Sequence, residues 1–516
     1  MFGATTSKAV ISSPLDPLDR MAIVYLTLPL VIFLIGWYQV WVAVPLVACV
    51  AYSLRSLAAA LPAGGMRLPV TPLQLCIAVA VGCGWTVFGG TDHLVFTNAD
   101  WHLRDAVLHD LVAGQWPVGY GDLNGKESLL RAPIGYYLPA ALLGKWAGLS
   151  AAHLTMALWT ALGTSLFLLQ VLSLTPPRAG VALMTVALIV LFSGLDVIGN
   201  LLNEPRFIIS WDIVRHLEWW AGSYQYSSMT TQLFWVPNHA LGGWLMIGML
   251  CRDDRGTPLD STLPIVVVAI ALWSPFAAIG VVPFVLWKVF AGMATERSLR
   301  PIDPRNWAPA LAVGLALAAY LTLDLGGIHK SWELGGSGAG DISMDLLRAA
   351  QFFLLEAGFI GVAILAIRRS QQVILALVIL VFLPLVNFGP GNDLVMRSSI
   401  PALTVLAIAA CLALVKDDFA RAWRKKVVLG FLLALGAVTP VTEFARAVVL
   451  DSWPINLQAT LIGAACGQYP AHYVARLGSE MIGRLLRQPR VLPLGSLGSA
   501  ACSNPALFLY YERVQR

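Results

Sequence analysis

The sequence predicts an all-α polytopic membrane protein with about 13 transmembrane helices. Hydrophobic residues make up 58% of the chain and charged residues only 12%, whereas a soluble domain carries roughly 25% charged residues. The mean hydropathy is +0.72. Unbroken apolar runs of about 17–22 residues indicate helices, because only helices and closed barrels satisfy their backbone groups in lipid.

The predicted spans follow from the length of the apolar runs. They cover residues 21–38, 40–60, 72–89, 151–172, 179–199, 236–251, 262–275, 277–293, 307–325, 346–367, 372–388, 400–416 and 427–446. Segment 133–148 is also apolar, but we expect it to lie along the outer surface.

Basic residues decide the orientation, because Lys and Arg gather on the cytoplasmic side. If 133–148 stays outside, every basic cluster falls on the side of the N-terminus. If it crosses, Arg55 and Arg67 are separated from all later clusters. We therefore expect residues 1–20 to be a cytoplasmic tail, without signal-peptide features, and the C-terminus to lie outside. The net charge of +5 then needs no nucleic acid as a partner.

The charge-rich segments gather on the predicted outer face. A membrane domain of residues 21–446 contains a large outer loop, 90–150, with helices lying at the membrane surface. Segments 200–235 and 326–345 lie on the same face. Residues 447–516 alternate apolar and polar side chains and contain five prolines. We predict a small outer C-terminal domain there.

The large outer loop contains one predicted helix. Asn98 suits its N-cap, and Gly114 suits its end. Apolar side chains recur every four positions between them, at Leu103, Val107 and Leu111. This spacing predicts an amphipathic helix in the membrane interface. A solvated interfacial helix with ordinary ion pairs is the purely structural alternative.

Five short motifs follow one another in this loop. They are Asp100-Trp101-His102-Leu103-Arg104-Asp105, Gly114-Gln115-Trp116-Pro117, Leu123-Asn124-Gly125-Lys126, Arg131-Ala132-Pro133 and Tyr136-Tyr137-Leu138-Pro139. Their order resembles membrane glycosyltransferases of the C fold, in the branch of the protein mannosyltransferases and aminoarabinose transferases. The resemblance implies an enzyme that moves a sugar from a polyprenyl-phosphate donor to an acceptor, by an inverting reaction. It also implies the periplasmic face of a bacterial inner membrane.

The resemblance implies roles for charged residues. Asp100 is the expected catalytic base, and Asp105 or Asp110 takes that role if the register is shifted. The transfer also needs cations that hold the leaving phosphate, and an Arg offers a planar fork of donors for its oxygens. The candidates are Arg104, Lys126, Arg131 and Arg397. For each Arg the alternative is an interfacial residue that only extends its charge to water.

Further residues are candidates for binding the sugar, the acceptor or the isoprenoid chain. They lie in the first two outer segments and at the outer ends of spans. The set is His102, Tyr136, Tyr224, Trp235, His239 and Asp393. For the aromatic members the alternative is the belt that anchors spans at the membrane surface.

The sequence offers one candidate metal site and no cofactor motif. His102 and His109 are seven positions apart and share a helix face with Asp105, which offers one candidate site for a divalent ion. No dinucleotide, phosphate-loop, zinc-protease or hydrolase motif occurs in a suitable context. We expect no other cofactor.

Two cysteines, Cys466 and Cys502, lie outside the spans in the C-terminal segment. The predicted topology places both in an oxidising compartment, where disulfides persist. We expect a bridge between them; two buried free thiols are the alternative.

Two other functions remain open. A ligase or polymerase of lipid-linked glycans would also use outer Arg and His residues. A transporter of lipid or solute would place polar groups at the membrane midplane, often in two related halves. The sequence shows one clear mid-span carboxylate, Glu356, and no internal repeat, which favours an enzyme.

Overall fold

The structure is a computed structural model, and it is mostly helical (73%). It describes residues 15–58, 68–122, 126–207, 211–252, 258–327, 342–386, 388, 392–416, 419–465, 470, 472–477 and 481–492. Six helices in these ranges are long and apolar enough to cross a membrane, which fits a polytopic membrane protein. They are Pro17–Trp37, Leu149–Ser173, Pro275–Thr295, Leu346–Ile367, Asp393–Val415 and Ala422–Val449.

The other helices are shorter or interrupted. Apolar helices of 10–17 residues cover Val40–Ser53, Pro72–Phe88, Ala179–Val190, Leu263–Trp273 and Gln371–Leu385, the last of these ending in a 3-10 turn. The remaining α-helices are Asp100–Ala113, Leu138–Ala147, Asp196–Asn203, Met229–Trp235, Pro237–Arg252, Pro304–Leu321, Ile342–Phe353, Leu461–Ala464 and Met481–Leu485.

Each segment predicted as a span contains a helix, although three of them are interrupted. The helix of segment 179–199 ends at Val190, and a new one begins at Asp196. In segment 346–367 a π-helical turn, Leu354–Gly358, separates two α-helices. Segment 427–446 is divided between Phe419–Gly436 and Val438–Val449. How many helices cross the membrane stays a prediction.

Helix Pro237–Arg252 lies at the centre of the helix array. It packs against Leu149–Ser173, Pro275–Glu296 and Ile400–Val415, and every residue from 237 to 250 is buried. Gly248 permits this close packing, because a Cβ there would lie 2.1 Å from Oε1 of Gln170. The helix therefore carries its first residues, which are polar, into the protein interior.

The segment 133–148 forms a helix that is too short to cross the membrane. Leu138–Ala147 has 10 residues, and at about 1.5 Å per residue it spans half of the roughly 30 Å hydrocarbon core. Its apolar side chains Leu142, Leu143 and Trp146 are exposed. Exposed apolar groups on a short helix suit a position along the membrane surface.

A four-stranded sheet joins the large outer loop to the C-terminal segment. Strands β1 (Val118–Asp122) and β2 (Glu127–Leu130) form a hairpin. Strand β3 (Val474–Arg476) pairs antiparallel with β2, and β4 (Arg490–Val491) pairs parallel with β1. The prediction of an all-α chain is thus wrong here. Two strands of the C-terminal segment complete the sheet of the loop. Whether residues 447–516 form a domain of their own stays a prediction.

The helix of the outer loop, Asp100–Ala113, is more buried than predicted. Trp101, Ala106, Val107, Leu108 and Leu111 are buried, as expected for its apolar face. Its charged residues Arg104, Asp105 and Asp110 are buried as well. Loop 90–97 and the C-terminal segment cover much of its polar side, so the solvated helix given as the structural alternative does not describe it. Its position in the membrane interface stays a prediction. Trp453 Nε1 donates to the Thr97 carbonyl at 2.9 Å, and the Leu461 N–H donates to Asp110 Oδ2 at 2.9 Å.

Candidate functional site

The start of helix Asp100–Ala113 presents a carboxylate at the protein surface. The Asp100 N–H donates to Asn98 Oδ1 at 3.1 Å, but the N-cap position is taken by Ala99, one residue after the predicted Asn98. Asn98 Nδ2 and Trp101 Nε1 both donate to the Phe234 carbonyl, at 2.8 and 3.0 Å. These bonds tie the first turn to the helix Met229–Trp235. The Asp100 side chain itself is 42% exposed.

Arg104 lies one turn later, and its side chain is 8% exposed. Its Nη1 donates to Asn238 Oδ1 at 2.7 Å, and its Nη2 donates to the Trp235 carbonyl. Nη2 also lies 3.4 Å from Asp100 Oδ2. The guanidinium thus connects Asp100 with the first turn of the central helix Pro237–Arg252. Arg104 Nε is buried and has no hydrogen-bond partner among the described residues.

The contact with Arg104 determines the protonation of His239. Because Asn238 Oδ1 faces Arg104, the Nδ2 of the same amide faces His239 Nε2 at 3.2 Å. An amide Nδ2 is a donor, so His239 Nε2 accepts and the ring carries its proton on Nδ1. This Nδ1 is buried and has no partner within the described part of the chain. It is available as a donor to a bound ligand.

A second arginine approaches from the helix Asp393–Ser398. Arg397 Nη2 lies 2.9 Å from Asp393 Oδ1, and the Arg397 side chain is 26% exposed. Arg397 interacts electrostatically with His239 and with Tyr473. Its Nε is a further buried donor to which no described residue offers an acceptor.

The third arginine, Arg131, directly follows strand β2. It is buried, and its backbone N–H donates to the Tyr473 carbonyl at 2.6 Å. This bond continues the β2–β3 pairing and brings the C-terminal segment to the site. Tyr136 and Tyr137 follow, and both interact electrostatically with Arg104. Burial raises the pKa of both phenols, so both carry their protons. The Tyr136 hydroxyl donates to Thr160 Oγ1 at 2.6 Å, because Thr160 itself donates to the Met156 carbonyl.

The C-terminal segment contributes His472 and Tyr473, which the sequence analysis missed. Tyr473 interacts electrostatically with Arg104, Asp100, Arg397 and Asp393. The exposed His472 interacts with Asp393, Arg131 and Arg397. Partial burial and the two arginines lower the pKa of His472, and Asp393 opposes them. This imidazole is neutral at pH 7 and can donate and accept hydrogen bonds.

Most of the predicted site residues therefore meet at one place. They come from four separated parts of the chain and are joined by contacts or by electrostatic interactions. The members are Asp100, Arg104, Arg131, Tyr136, His239, Asp393 and Arg397. We call this group the arginine site. Trp235 adjoins it through its carbonyl, while its Nε1 donates to Glu443 Oε2 at 3.0 Å.

Four predicted residues lie outside the arginine site: Tyr224, Lys126, Asp105 and His102. Tyr224 is buried against Phe352, with ring centroids 5.5 Å apart, so the structure does not support its role as a substrate platform. Lys126 is exposed at the turn between β1 and β2, and no described contact joins it to the arginines.

Asp105, the second predicted catalytic residue, is buried on another side of the helix. Asp105 Oδ2 lies 2.9 Å from His93 Nε2, and the other nitrogen of that ring lies 3.0 Å from the Trp453 carbonyl. His153 Nδ1 approaches Asp105 Oδ1 at 3.9 Å. Asp105 therefore joins the loop, the helix and the C-terminal segment in the interior. The exposed Asp100 is better placed for a reaction.

The candidate metal ligands do not converge. Asp105 faces His93, and His109 Nδ1 lies 3.0 Å from Asp110 Oδ1. His102 is half-buried, and its ring lies 6.4 Å from that of Trp453; burial lowers its pKa. Within the described residues, no group of three or more His, Cys, Asp or Glu side chains is arranged to hold a metal ion.

Comparisons with protein-family models, with curated proteins and with solved structures give no match for this chain. The arginine site must therefore be judged by its own chemistry. The Arg104 guanidinium lies 3.4 Å from the partly exposed Asp100 carboxylate. Electrostatic interactions link Arg131, Arg397, His239, His472 and Tyr473 to this pair or to one another. Charge-assisted hydrogen bonds of this kind suit a phosphate, and the carboxylate suits the removal of a proton.

Proposed function

We propose that this chain is a glycosyltransferase of the bacterial inner membrane. It transfers a sugar from a polyprenyl-phosphate donor to an acceptor at the periplasmic face. One observation supports the proposal most: the exposed Asp100 lies 3.4 Å from Arg104, within a group that includes Arg131 and Arg397. The loop that brings Asp100 and Arg131 to this group is the one that resembles the C-fold enzymes.

The reaction needs a base and a place for the leaving phosphate. Asp100 accepts the proton of the acceptor hydroxyl or amine while that atom forms a bond to the anomeric carbon. The bond from this carbon to the phosphate oxygen breaks, and polyprenyl phosphate leaves with the bonding electrons. A single displacement of this kind inverts the anomeric carbon. Arg104, Arg131 and Arg397 stabilise the negative charge that develops on the departing phosphate.

His239 and the neighbouring donors explain why the site suits a phosphate more than a carboxylic ligand. A phosphate presents several acceptor oxygens, and three buried donors of the arginine site are unpartnered among the described residues. They are Arg104 Nε, Arg397 Nε and His239 Nδ1. A buried donor without a partner costs roughly 1–3 kcal/mol, which a bound ligand recovers.

Lipid-linked sugars provide the test. A strain that lacks this protein should accumulate one polyprenyl-phosphate-linked sugar, identified by mass spectrometry of the lipid extract. Expression of the wild-type chain should remove it, and expression of Arg397→Gln should not. An unchanged lipid profile in the deletion strain would contradict the proposal. If a longer lipid-linked glycan accumulates instead, the ligase or polymerase is the better interpretation.

A second candidate, proton-coupled transport, is favoured by a separate group of buried carboxyls. Asp196 and Glu356 are both buried, and the two carboxyls interact with each other. Asp196 Oδ2 also accepts from Ser193 Oγ at 3.0 Å and Thr439 Oγ1 at 2.8 Å. Trp220 Nε1 donates to Glu356 Oε1 at 2.7 Å. Buried acids within a membrane domain are common in proton relays, so uptake measurements on proteoliposomes with a pH gradient test this candidate.

A further inference from the structure

A cavity lies at the end of the helix array opposite the arginine site. Its volume is about 370 Å³, which falls within the usual range of roughly 300–1,000 Å³ for ligand pockets. Helix Pro237–Arg252 carries His239 at the arginine site and Cys251 in this cavity, twelve residues later. At about 1.5 Å per residue the two sites are separated by roughly 18 Å along this helix. We call the cavity the distal groove.

The walls of the distal groove are apolar, and its rim is polar. Trp287, Ile364, Val405, Ile408 and Leu412 line the walls. The rim consists of residues at the ends of helices, namely Arg368, Ser370, Gln371 and Gln372. This division matches a molecule that is apolar along its length and polar at one end.

The surroundings indicate a lipid more than a water-soluble anion. Leu286 lies one residue before Trp287 and Phe290 three residues after it, and their side chains are 41% and 61% exposed. Such exposure is typical of a surface that faces hydrocarbon. A ligand that enters from this side comes from the bilayer. The groove belongs to helices predicted to cross the membrane, and two of these carry His239 and Arg397 of the arginine site at their other ends.

The rim carries a positive charge. Arg368 lines the groove, and Arg369 follows it. Lys425 Nζ donates to the Ala366 carbonyl at 2.8 Å, two residues before Arg368. An Arg with nearby hydroxyl and amide groups is suited to the oxygens of a phosphodiester.

We propose that the distal groove binds an anionic phospholipid, with an acyl chain between the apolar walls and the headgroup phosphate at Arg368. This site is separate from the arginine site, and it does not depend on the proposed reaction. A phospholipid there would fill the space between helices Pro237–Arg252, Ile400–Val415 and the segment around Arg368. It would thereby stabilise the packing of the helix that carries His239.

Native mass spectrometry of the full-length chain in detergent tests the proposal. Phosphatidylglycerol and phosphatidylcholine with the same acyl chains are titrated into delipidated protein. We expect tighter binding of phosphatidylglycerol to the wild-type chain. Arg368→Gln should weaken that binding about tenfold or more, since a charged hydrogen bond contributes roughly 1.5–3 kcal/mol. Ala409→Trp, which fills the groove from its wall, should abolish the binding of both lipids.

Two matched variants serve as controls. Arg369→Gln removes the neighbouring exposed charge, and Val362→Trp adds the same indole at a position that is 64% exposed and outside the groove. Both should bind phosphatidylglycerol as the wild type does. Equal affinity for the two lipids, or unchanged binding in Arg368→Gln, would overturn the proposal. If Ala409→Trp does not fold, the comparison of Arg368→Gln with Arg369→Gln still decides.

Discussion

Replacing Arg104 by Lys or Met tests whether this guanidinium organises the arginine site. Arg104 donates to Asn238 Oδ1 at 2.7 Å and to the Trp235 carbonyl, and it is 8% exposed. A Lys keeps the charge, but its compact ammonium cannot reproduce the planar fork that serves two acceptors. A Met keeps the length and removes both bonds. The two variants therefore remove these interactions in steps.

The expected losses of stability follow from the hydrogen bonds that each variant removes. A hydrogen bond to a charged group contributes roughly 1.5–3 kcal/mol. The free energy of unfolding should therefore fall by about that amount in Arg104→Lys and by about twice as much in Arg104→Met. The pair with Asp100 adds little, because the carboxylate is 42% exposed and the separation is 3.4 Å. The loss of Asn238 as a fixed acceptor should also free the His239 ring and weaken donor-phosphate binding.

The assay is equilibrium unfolding in mixed micelles, followed by tryptophan fluorescence. Arg215→Lys is the matched control, since Arg215 Nη1 and Glu204 Oε2 form a surface pair at 2.7 Å with both side chains about 40% exposed. Such a pair contributes about 0–1 kcal/mol. If Arg104→Met is no less stable than Arg104→Lys, or if both equal the Arg215→Lys control, Arg104 does not organise the site.

Three further predictions concern other parts of the molecule. Burial and the neighbouring Asp196 raise the pKa of Glu218 to about 8 in the folded protein. The proton on this carboxyl therefore contributes fully to the free energy of unfolding below the unfolded pKa, and the contribution is lost as the pH rises through the folded pKa. Unfolding measured from pH 5 to 9 should show this decline in the wild type and a shallower one in Glu218→Gln, and identical slopes would refute it. Reporter fusions after Gly148 and after Arg178 should lie outside and inside, and the reverse result at either position would contradict the predicted topology. Cys466 and Cys502 lie outside the described residues; mass spectrometry of unreduced peptides should find them bridged, and two alkylated thiols would exclude the bridge.

The helices and part of the arginine site followed from local features of the sequence. Apolar length predicted the segments that contain helices, and polar residues at the ends of those segments included Arg131, Arg397 and His239. These positions can be found in the sequence because backbone groups in lipid must be hydrogen-bonded within the protein, so each crossing segment is an apolar helical run. A charge at the end of an apolar run is therefore informative without any knowledge of the tertiary contacts.

Contacts between distant parts of the chain could not be predicted in this way. His472 and Tyr473 reach the site only because β3 pairs with β2 across more than three hundred residues, and no spacing rule encodes that partner. The alternation of apolar and polar residues in the C-terminal segment was a signal for strands. Asn238 was missed although it directly precedes His239 at the first turn of a buried helix. Asp105 and Asp100 look alike in sequence, and only packing shows that one is buried with His93.

The central claim is that Asp100 removes the acceptor's proton, and the rate of sugar transfer by Asp100→Asn tests it most directly. The substitution keeps the shape of the side chain and removes its basicity. The donor lipid isolated from the deletion strain serves as substrate, and Asp92→Asn, in the same loop, is the control. We expect a loss of roughly 10²–10⁴-fold in Asp100→Asn, with donor binding unchanged, and near-normal rates in Asp92→Asn. Near-normal transfer by purified Asp100→Asn would contradict the account.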